Sequence, residues 1–366
     1  MIKEIIVNNI SPKSRIIVAP LDWGLGHATR CIPIIKELIL LNCEVFIAAE
    51  GAIFSLLKKE FPHLIFLPVK GYRINYSGNK YFFSWKIFLQ IPKIIFTIYK
   101  EHRWLHKIIL HYKIDAVISD NRFGMYQKNI PCIFITHQLA IKTGNAFTER
   151  IAKKINYFFI KKYKECWIPD FKINCIAGTL SHPEKIPNNI QYIGCLSRFE
   201  LYDVEKKYDL LILLSGPEPQ RTIFEEKILN DLNFYSGKAL LIRGLPGKSR
   251  ELTSENTSVE IKNHLTAIQL NEVVLQSEII ISRCGYTTVM DLIKLRKKAI
   301  LVPTPGQTEQ EYLARFLSDN KLFYALNQKD FILEKVLQQF YLFPNNITAY
   351  NMEHYKSIIT QFVQSL

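Results

Sequence analysis

The chain has 366 residues, 48% of them hydrophobic and 22% charged, which excludes overall disorder, fibrous classes and disulfide-rich scaffolds. This length exceeds what one core usually supports, so two domains are expected. A net charge of +14 favours an anionic partner, and seven scattered cysteines without a C-x-x-C pair favour reduced thiols and no structural zinc site.

The first residues lack the apolar core of a signal peptide. No apolar run reaches the roughly 18 residues that cross a bilayer. We therefore expect a soluble or peripheral protein of the cytoplasm.

Short apolar runs alternate with helical patterns in the first half of the chain. The pattern after the first run puts Ile32, Ile35, Leu38 and Ile39 on one helix face, and another helix follows Gly51. This alternation predicts βαβ units and a parallel sheet. The predicted strands are 15–20, 44–49, 64–67, 115–120 and 132–136.

The second half repeats this pattern, with predicted strands at 209–214, 238–243, 278–281 and 298–302. We therefore expect two open α/β sheets with a cleft between them, and ligands beyond the carboxyl ends of the strands. The expected organisation is an N-terminal domain at 1–197, a linker at 198–207, a second domain at 208–345 and a C-terminal helix in 346–366 that packs back on the first domain.

A glycine-rich turn follows the first predicted strand and opens a helix. Gly24 and Gly26 let the backbone approach a ligand closely, and a helix N-terminus favours anions. His27 stands at this entrance and can accept a proton at neutral pH, so it is a general-base candidate. The alternative is a capping or packed histidine. Thr29 replaces the third glycine of G-x-G-x-x-G, which excludes the dinucleotide fingerprint and with it an oxidoreductase.

A second polar segment also follows a strand and starts a helix. Gly285, the hydroxyls of Thr287 and Thr288, and the free amides of the first helical turn predict a pyrophosphate cradle. Arg283 would add a charge-assisted contact, and Asp291 would accept from ribose hydroxyls. The alternative is an ordinary capped helix with Asp291 on a solvated face.

A third segment, V-P-T-P-G-Q at 302–307, ends a strand and leads into a helix. Glu309 and Gln310 follow directly and are candidates for binding sugar hydroxyls. The alternative is a polar helix start, which a glutamate stabilises through the helix dipole.

The order of these segments resembles the donor site of nucleotide-sugar glycosyltransferases, and more narrowly glycosyltransferase family 28. The matching pattern is S-R-x-G-x-x-T-x-x-D, a strand, then V-P-x-P with a glutamine at a helix start; the G-x-G-H turn matches as well. The resemblance implies a GT-B fold, in which two Rossmann-like, doubly wound parallel-sheet domains face a central cleft. It also implies inverting transfer of a hexose from a UDP-sugar to a glycan or lipid-linked acceptor, with no obligatory metal and no further cofactor.

The resemblance also distributes donor-binding roles along the second half. It implies a Gly/Ser loop, a backbone pair that reads uracil, a diphosphate group, an acid at the ribose and a glutamine at the sugar. In that order the residues are Ser215 and Gly216, Thr266 and Ala267, then Ser282, Arg283, Gly285 and Thr287, then Asp291, and finally Gln310. His27 lies at the acceptor-side turn.

Asp120 ends a predicted strand in the acceptor half. It is either a rival base or the group that orients His27; alternatively, Asp120 and Asn121 only satisfy backbone amides in a turn. His137 and Gln138, after the next strand, are candidates of the same kind. The chain has no obvious D-x-D motif, so we expect Arg283 and a helix N-terminus to neutralise the leaving diphosphate without a metal.

The basic excess is concentrated at 70–113, where nine Lys or Arg face one acid, Glu101, and again at 150–164. Aromatic residues interleave with these charges, which favours peripheral contact with an anionic membrane and suits a lipid-linked acceptor. The alternative is a helix with aromatics inward and lysines in water. We recognise no nucleic-acid-binding module and expect no nucleic acid as partner.

Two other functions remain open at this stage. One is a GT-B relative of the UDP-N-acetylglucosamine 2-epimerase type, and the other is a catalytically inactive nucleotide-sugar-binding protein. The presence of Arg283, Asp291 and Gln310 argues against an inactive protein.

Overall fold

Two parallel sheets organise the chain. The computed structural model describes residues 14–72, 80–245, 247, 252–347 and 350–366, with the side chains of 80–91 left out of the description. The strands of the first sheet are β1 (Arg15–Pro20), β2 (Glu44–Ala48), β3 (Ile65–Leu67), β4 (Ala116–Asp120), β5 (Cys132–Ile135), β6 (Glu165–Ile168) and β7 (Ile190–Tyr192). The strands of the second sheet are β8 (Tyr208–Leu213), β9 (Ala239–Ile242), β10 (Val259–Lys262), β11 (Ser277–Ser282), β12 (Ala299–Leu301) and β13 (Tyr324–Ala325).

Helices connect the strands and cover the sheets. The helices are α1 (Leu25–Leu40), α2 (Gly51–Glu60), α3 (Lys80–Tyr112), α4 (Ala146–Ile160), α5 (Gln220–Leu232), α6 (Ala267–Gln276), α7 (Tyr286–Lys294), α8 (Thr308–Asp319), α9 (Leu333–Leu342) and α10 (His354–Gln364). None of these helices, over the residues that the structure describes, is both long enough and apolar enough to cross a membrane.

Both sheets are doubly wound, as predicted. The strand order is β3-β2-β1-β4-β5-β6-β7 in the first and β10-β9-β8-β11-β12-β13 in the second, and the strands pair in parallel. The order therefore reverses between β1 and β4, and again between β8 and β11. Ligands of such sheets bind at this reversal, beyond the carboxyl ends of the strands.

The strands are buried on both faces, which explains their near-continuous apolar runs. Along β1, Ile16 and Val18 belong to one core cluster, whereas Ile17 and Ala19 belong to a second cluster on the opposite face. Helices cover both faces. This burial on two sides is why the central strands were predictable from hydrophobic runs alone.

Four short strands, three of them at sheet edges, were not predicted. β6, β7, β10 and β13 are two to four residues long, and all three residues of β7 are only partly buried. Short, partly exposed strands carry little hydrophobic signal. The predicted helix face is also wrong at one position, since Ile39 is 42% exposed while Ile32, Ile35 and Leu38 are fully buried.

The last helix contacts the first half of the chain. α10 packs on α1, and the ring of Phe362 lies edge-on to Trp167 with 5.5 Å between the ring centroids. A second contact joins the two halves of the chain. The backbone N–H of Leu196 faces the sulfur of Met290 in α7 at 3.4 Å. The domain boundaries at 197, 207 and 345 remain a proposal.

Candidate active site

His27 and Asp120 meet at the reversal point of the first sheet. His27 lies in the first turn of α1, directly after β1, and Asp120 is the last residue of the neighbouring β4, opposite Pro20. Parallel pairing of these strands therefore brings the two side chains together. His27 Nδ1 is 3.0 Å from Asp120 Oδ1, the Asp120 carboxylate is fully buried, and the imidazole is 16% exposed.

Arg30 completes this group from one helical turn further along α1. Its Nε donates to Asp120 Oδ2 at 2.5 Å, and its Nη2 donates to Asp120 Oδ1. Nη2 also lies 2.8 Å from His27 Nδ1, and Nη1 lies 3.2 Å from His137 Nδ1. Arg30 was not among the residues predicted from the sequence. Its spacing of three residues from His27 in a helix was the available signal.

Burial and neighbouring charges set the ionisation states of Asp120 and His27. Burial by itself would raise the pKa of Asp120, but Arg30 and His27 hold that pKa well below its usual range. Burial lowers the pKa of His27, the guanidinium of Arg30 lowers it further, and Asp120 opposes both effects. The result at neutral pH is an ionised aspartate beside a neutral imidazole.

A second histidine links the first sheet to α8. His137, just after β5, is 2.7 Å from Glu309 Oε1 through its Nε2, and Gln138 donates its side-chain amide to Glu309 Oε2. Burial raises the pKa of Glu309, but His137 and Arg30 outweigh it and hold the pKa below its usual value. The His137 ring stacks on Tyr286 with 4.2 Å between centroids.

The N-termini of α1 and α7 also meet where the two halves of the chain are in contact, and we call the space between these two N-termini the crevice. A β-carbon on Gly26 would stand 3.0 Å from Thr287 Oγ1, and that hydroxyl lies 3.5 Å from the Gly26 carbonyl oxygen. Gly24 and Gly285 precede the two helices, and neither offers a side chain to cap them. Two uncapped helix N-termini at one crevice favour a bound anion.

Buried polar atoms without partners lie near this crevice. Ser282 Oγ, Arg283 Nε and Thr304 Oγ1 have no hydrogen-bond partner within the described part of the chain. Buried donors in this state normally serve a ligand or an ordered water. They follow β11 and β12, at the carboxyl edge of the second sheet.

Arg283 itself is 2% exposed and does not open into the crevice. Its Nη2 donates to the Gln220 carbonyl at 2.8 Å, Nη1 donates to the carbonyls of Val302 and Pro303 at 3.4 Å, and the guanidinium lies 4.4 Å from the centre of the Phe224 ring. Burial lowers the pKa of Arg283 to about 10. In this structure its guanidinium holds loops of the second sheet, and its buried Nε has no hydrogen-bond partner among the described residues.

The other sequence-predicted loop residues also organise the backbone. Gln310 accepts from the Thr304 N–H at 2.9 Å and donates to Gln307 at 2.5 Å. Gly216 has φ +101° and approaches Thr304 so closely that a β-carbon would stand 3.4 Å from its hydroxyl. Ser215 beside it is exposed. This glycine therefore keeps the loop after β8 against the loop after β12.

Asp291 lies on the partly buried face of α7. It accepts a hydrogen bond from Ser197 Oγ at 2.5 Å, and burial raises its pKa to about 6. At α6, the Thr266 hydroxyl and Gln269 form a capping box, so this hydroxyl serves the helix. Ala267 is the first residue of α6.

One group of side chains among the described residues has the spacing of a metal site. The ligand atoms of Asp170, Cys175 and His182 lie within 4.8 Å of one another. However, Asp170 already accepts from the backbone N–H groups of residues 171, 176 and 177 and from Ser181 Oγ. The Asp170 carboxylate therefore already forms hydrogen bonds that stabilise the loop following it.

Residues 240–365 match the family model of the "Glycosyltransferase family 28 C-terminal domain". The chain is a glycosyltransferase, and its second half is similar to the C-terminal domain of glycosyltransferase family 28. This confirms the predicted resemblance and enzyme class, and it does not favour an epimerase or an inactive binding protein.

Known relatives agree with this assignment. An uncharacterized glycosyltransferase of Methanosarcina acetivorans is 22% identical over 316 residues, which is 79% of each chain. The UDP-N-acetylglucosamine–N-acetylmuramyl-(pentapeptide) pyrophosphoryl-undecaprenol N-acetylglucosamine transferase of Rickettsia canadensis is 21% identical over 68% of this chain and 70% of its own. The solved structure of MurG from Acinetobacter baumannii superposes with a TM-score of 0.59 at 14% identity, covering 96% of this chain and 100% of that one. With the two doubly wound sheets, this likeness confirms the GT-B fold.

Proposed function

We propose that this glycosyltransferase moves a hexose from a UDP-sugar to a hydroxyl of a glycan or lipid-linked acceptor, with inversion and without an obligatory metal. The observation that carries the proposal is the His27–Asp120 pair, which is held at 3.0 Å beside the uncapped N-terminus of α7. A base and an anion site at one crevice are the two elements that such a transfer needs.

In the proposed reaction His27 is the general base. Its Nε2 takes the proton of the acceptor hydroxyl while Asp120 holds Nδ1–H and offsets the charge of the imidazolium. The acceptor oxygen attacks the anomeric carbon from the side opposite UDP, which leaves with the electrons of the broken C–O bond. Because Asp120 is fully buried and already binds Arg30, it orients the imidazole and does not act as the base. A base positioned in this way contributes roughly 10²- to 10⁴-fold in rate.

The leaving diphosphate would lie between the N-termini of α1 and α7. The backbone of Gly24 and Gly285, the hydroxyls of Thr287 and Thr288, and the partnerless buried hydroxyl of Ser282 supply the donors. These groups stabilise negative charge without a cation, because helix N-termini and convergent hydroxyls favour anions.

The rest of the donor follows the same crevice. We assign the ribose to Asp291, the base to the backbone of Thr266 and Ala267, and the sugar to Glu309 and Gln310. The Rickettsia canadensis relative, whose name gives UDP-N-acetylglucosamine as its donor, supports a uracil base. Ser215 and Gly216 would border the diphosphate.

A lipid-linked acceptor is supported by the outer surface of the first half. On α4, Phe147, Ile151, Ile155 and Phe158 lie three or four residues apart and are 43–68% exposed. This spacing puts them on one helix face, which we call the α4 stripe. Such an apolar stripe is typical of a helix that lies on a membrane surface.

Basic residues border the α4 stripe. Exposed cations on and after the helix include Arg150, Lys154, Lys161 and Lys162. α3 lies next to α4, since Ile94 and Phe159 pack around the same buried residues. Among the described side chains of α3, the exposed large hydrophobic residues are Ile95, Phe96, Tyr99 and Leu110. We propose that this surface rests on an anionic membrane as a peripheral contact on its cytoplasmic face.

Part of the basic and aromatic segment lies outside this argument. Arg73 and the side chains of Lys80, Tyr81, Phe82, Phe83, Trp85, Lys86 and Phe88 fall outside the described residues.

The proposal is tested by titrating the protein with UDP, GDP, ADP, dTDP and NAD while following thermal unfolding. UDP at a hundred times its Kd should add about 2.7 kcal/mol, and EDTA should not remove the effect. Incubation with UDP-sugars and a mixture of hydroxyl acceptors should then release UDP only when an acceptor is present. Stabilisation by another nucleotide would contradict the UDP assignment. Formation of an epimerised sugar without acceptor would favour the epimerase alternative.

A further inference from the structure

Two nitrogen atoms approach a single oxygen of Asp120. Arg30 Nη2 and His27 Nδ1 both lie within hydrogen-bond reach of Asp120 Oδ1, and they stand 2.8 Å from each other. A guanidinium has no acceptor, and a carboxylate has no donor when ionised. His27 Nδ1 must therefore either donate to Asp120 or accept from Arg30.

The geometry favours donation to Asp120. The guanidinium of Arg30 already donates to the Asp120 carboxylate through both Nε and Nη2. Arg30 Nη2 and His27 Nδ1 are close to each other because both approach the same oxygen of Asp120. An unprotonated Nδ1 would instead turn its lone pair toward Oδ1 at 3.0 Å. Neutral His27 consequently carries its proton on Nδ1 and leaves Nε2 bare.

His137 is held in the opposite state by the same guanidinium. Arg30 Nη1 faces His137 Nδ1 at 3.2 Å, so this nitrogen is the acceptor. The proton of neutral His137 then lies on Nε2, which is 2.7 Å from Glu309 Oε1 on α8. The bond that joins the two halves at this point depends on which nitrogen of His137 is protonated.

We propose that Arg30 is a positioning residue that holds His27 and His137 in opposite tautomers, Nδ1–H on His27 and Nε2–H on His137. The first tautomer leaves a bare nitrogen for the acceptor hydroxyl, and the second ties Glu309 to the first half. The catalytic meaning of the first tautomer rests on the proposed function, whereas the tautomers themselves do not.

The titratable and charged groups around His27 come from several elements of the described structure. Arg30 and the thiol of Cys31 come from α1, Asp120 from β4, His137 from the segment after β5, and Glu309 from α8. The positive charge of Arg30 contributes to the lowered pKa of His27, after burial. Removing that charge while keeping Asp120 should therefore make His27 easier to protonate.

The test is ¹⁵N NMR of the histidine rings in the full-length protein, because ring-nitrogen shifts distinguish the two tautomers and follow protonation. The chain has 9 histidines, so His27→Gln and His137→Gln spectra assign the two signals. The wild-type spectrum alone should show Nδ1–H on His27 and Nε2–H on His137. Nε2–H on His27, or Nδ1–H on His137, would overturn the proposal.

Variants separate the charge of Arg30 from its geometry. Arg30→Gln should raise the midpoint of the His27 titration above that of the wild type and populate both tautomers of His137. Arg30→Lys should keep the His27 midpoint low while losing the single tautomer of His137. An unchanged His27 midpoint in Arg30→Gln would count against the proposal.

Arg243→Gln is the matched control, since Arg243 also forms a buried ion pair, with Glu225 at 2.6 Å, away from both histidines. It should leave both ring signals unchanged. If the tautomers are as proposed but UDP release survives in His27→Ala, the proposed base is wrong and the role of Arg30 in placing the protons stands.

Discussion

Gly26 in α1 and Thr287 in α7 belong to different halves of the chain, yet they are so close that a β-carbon on Gly26 would stand 3.0 Å from the threonine hydroxyl. The two helix N-termini that would hold the diphosphate thus approach as closely as a glycine allows. A methyl group at this position should push α7 away from α1.

We expect Gly26→Ala to lower kcat by about tenfold, or ~1.4 kcal/mol in activation free energy, because the base and the anion site move apart. Thr287→Ala removes the crowding hydroxyl, so the double variant should lose less activity than the two single losses combined. UDP release measures each variant. Additive losses would show that the crowding does not control the approach.

His27→Ala should lower kcat by roughly 10²- to 10⁴-fold, with little change in the Kd of UDP. The reason is that the imidazole would act on the acceptor proton and not on the nucleotide. Calorimetry gives the Kd and UDP release gives kcat. His106, an exposed histidine of α3, provides the control, since His106→Ala should retain full activity. Equal loss in both variants would contradict the role of His27.

Asp291 should make nucleotide binding depend on pH. Its pKa is raised to about 6 by burial, so the carboxylate ionises as the pH rises through that value. If ribose hydroxyls donate to it, the Kd of UDP should fall as the pH rises from about 5 to 7 and level off above. Asp291→Asn should bind UDP more weakly and lose this dependence. A pH-independent Kd in the wild type would remove Asp291 from the ribose site.

The same shift has the opposite effect on the free protein. A carboxyl whose pKa is higher in the folded than in the unfolded state stabilises the fold below its unfolded pKa, and this stabilisation is lost as the pH rises through about 6. Asp291→Asn should therefore unfold at a higher temperature than the wild type at pH 8. Its free energy of unfolding should be larger by an amount on the order of 1–2 kcal/mol. Thermal unfolding at pH 4 and pH 8 measures the difference, which should shrink at the lower pH.

The α4 stripe predicts binding to anionic vesicles. The wild type should co-sediment with phosphatidylglycerol vesicles at low salt and less at high salt, where screening weakens surface attraction. Phe147→Ser with Phe158→Ser should reduce the bound fraction severalfold. Phe234→Ser is the control, because Phe234 is 92% exposed in the second half of the chain. Equal binding by both variants would remove the stripe from the contact.

The central strands and the His27–Asp120 pair follow from sequence because they depend on local patterns. Each residue ends or follows a strongly apolar run, and parallel strands bring such ends to one edge of a sheet. The short strands β6, β7, β10 and β13 gave no comparable hydrophobic pattern.

The role of Arg30 and the contacts between the halves could not be predicted in this way. Arg30 has no motif of its own, and the bond between His137 and Glu309 depends on how two sheets pack, which no spacing in the chain encodes. Arg283 was expected to face the ligand, but backbone carbonyls of two loops capture its guanidinium. Buried carbonyls need donors, and a long cation satisfies several of them at once.

The return of α10 to α1 makes the last residues of the chain part of the first half. Ile359 and Phe362 are buried in the same cluster as Ile35 and Trp167. During synthesis the first half therefore emerges with an incomplete core and reaches its final packing only after α10 has left the ribosome. The chain also crosses between the sheets twice, before β8 and before α10. Two covalent connections therefore join the halves and limit how far they can separate.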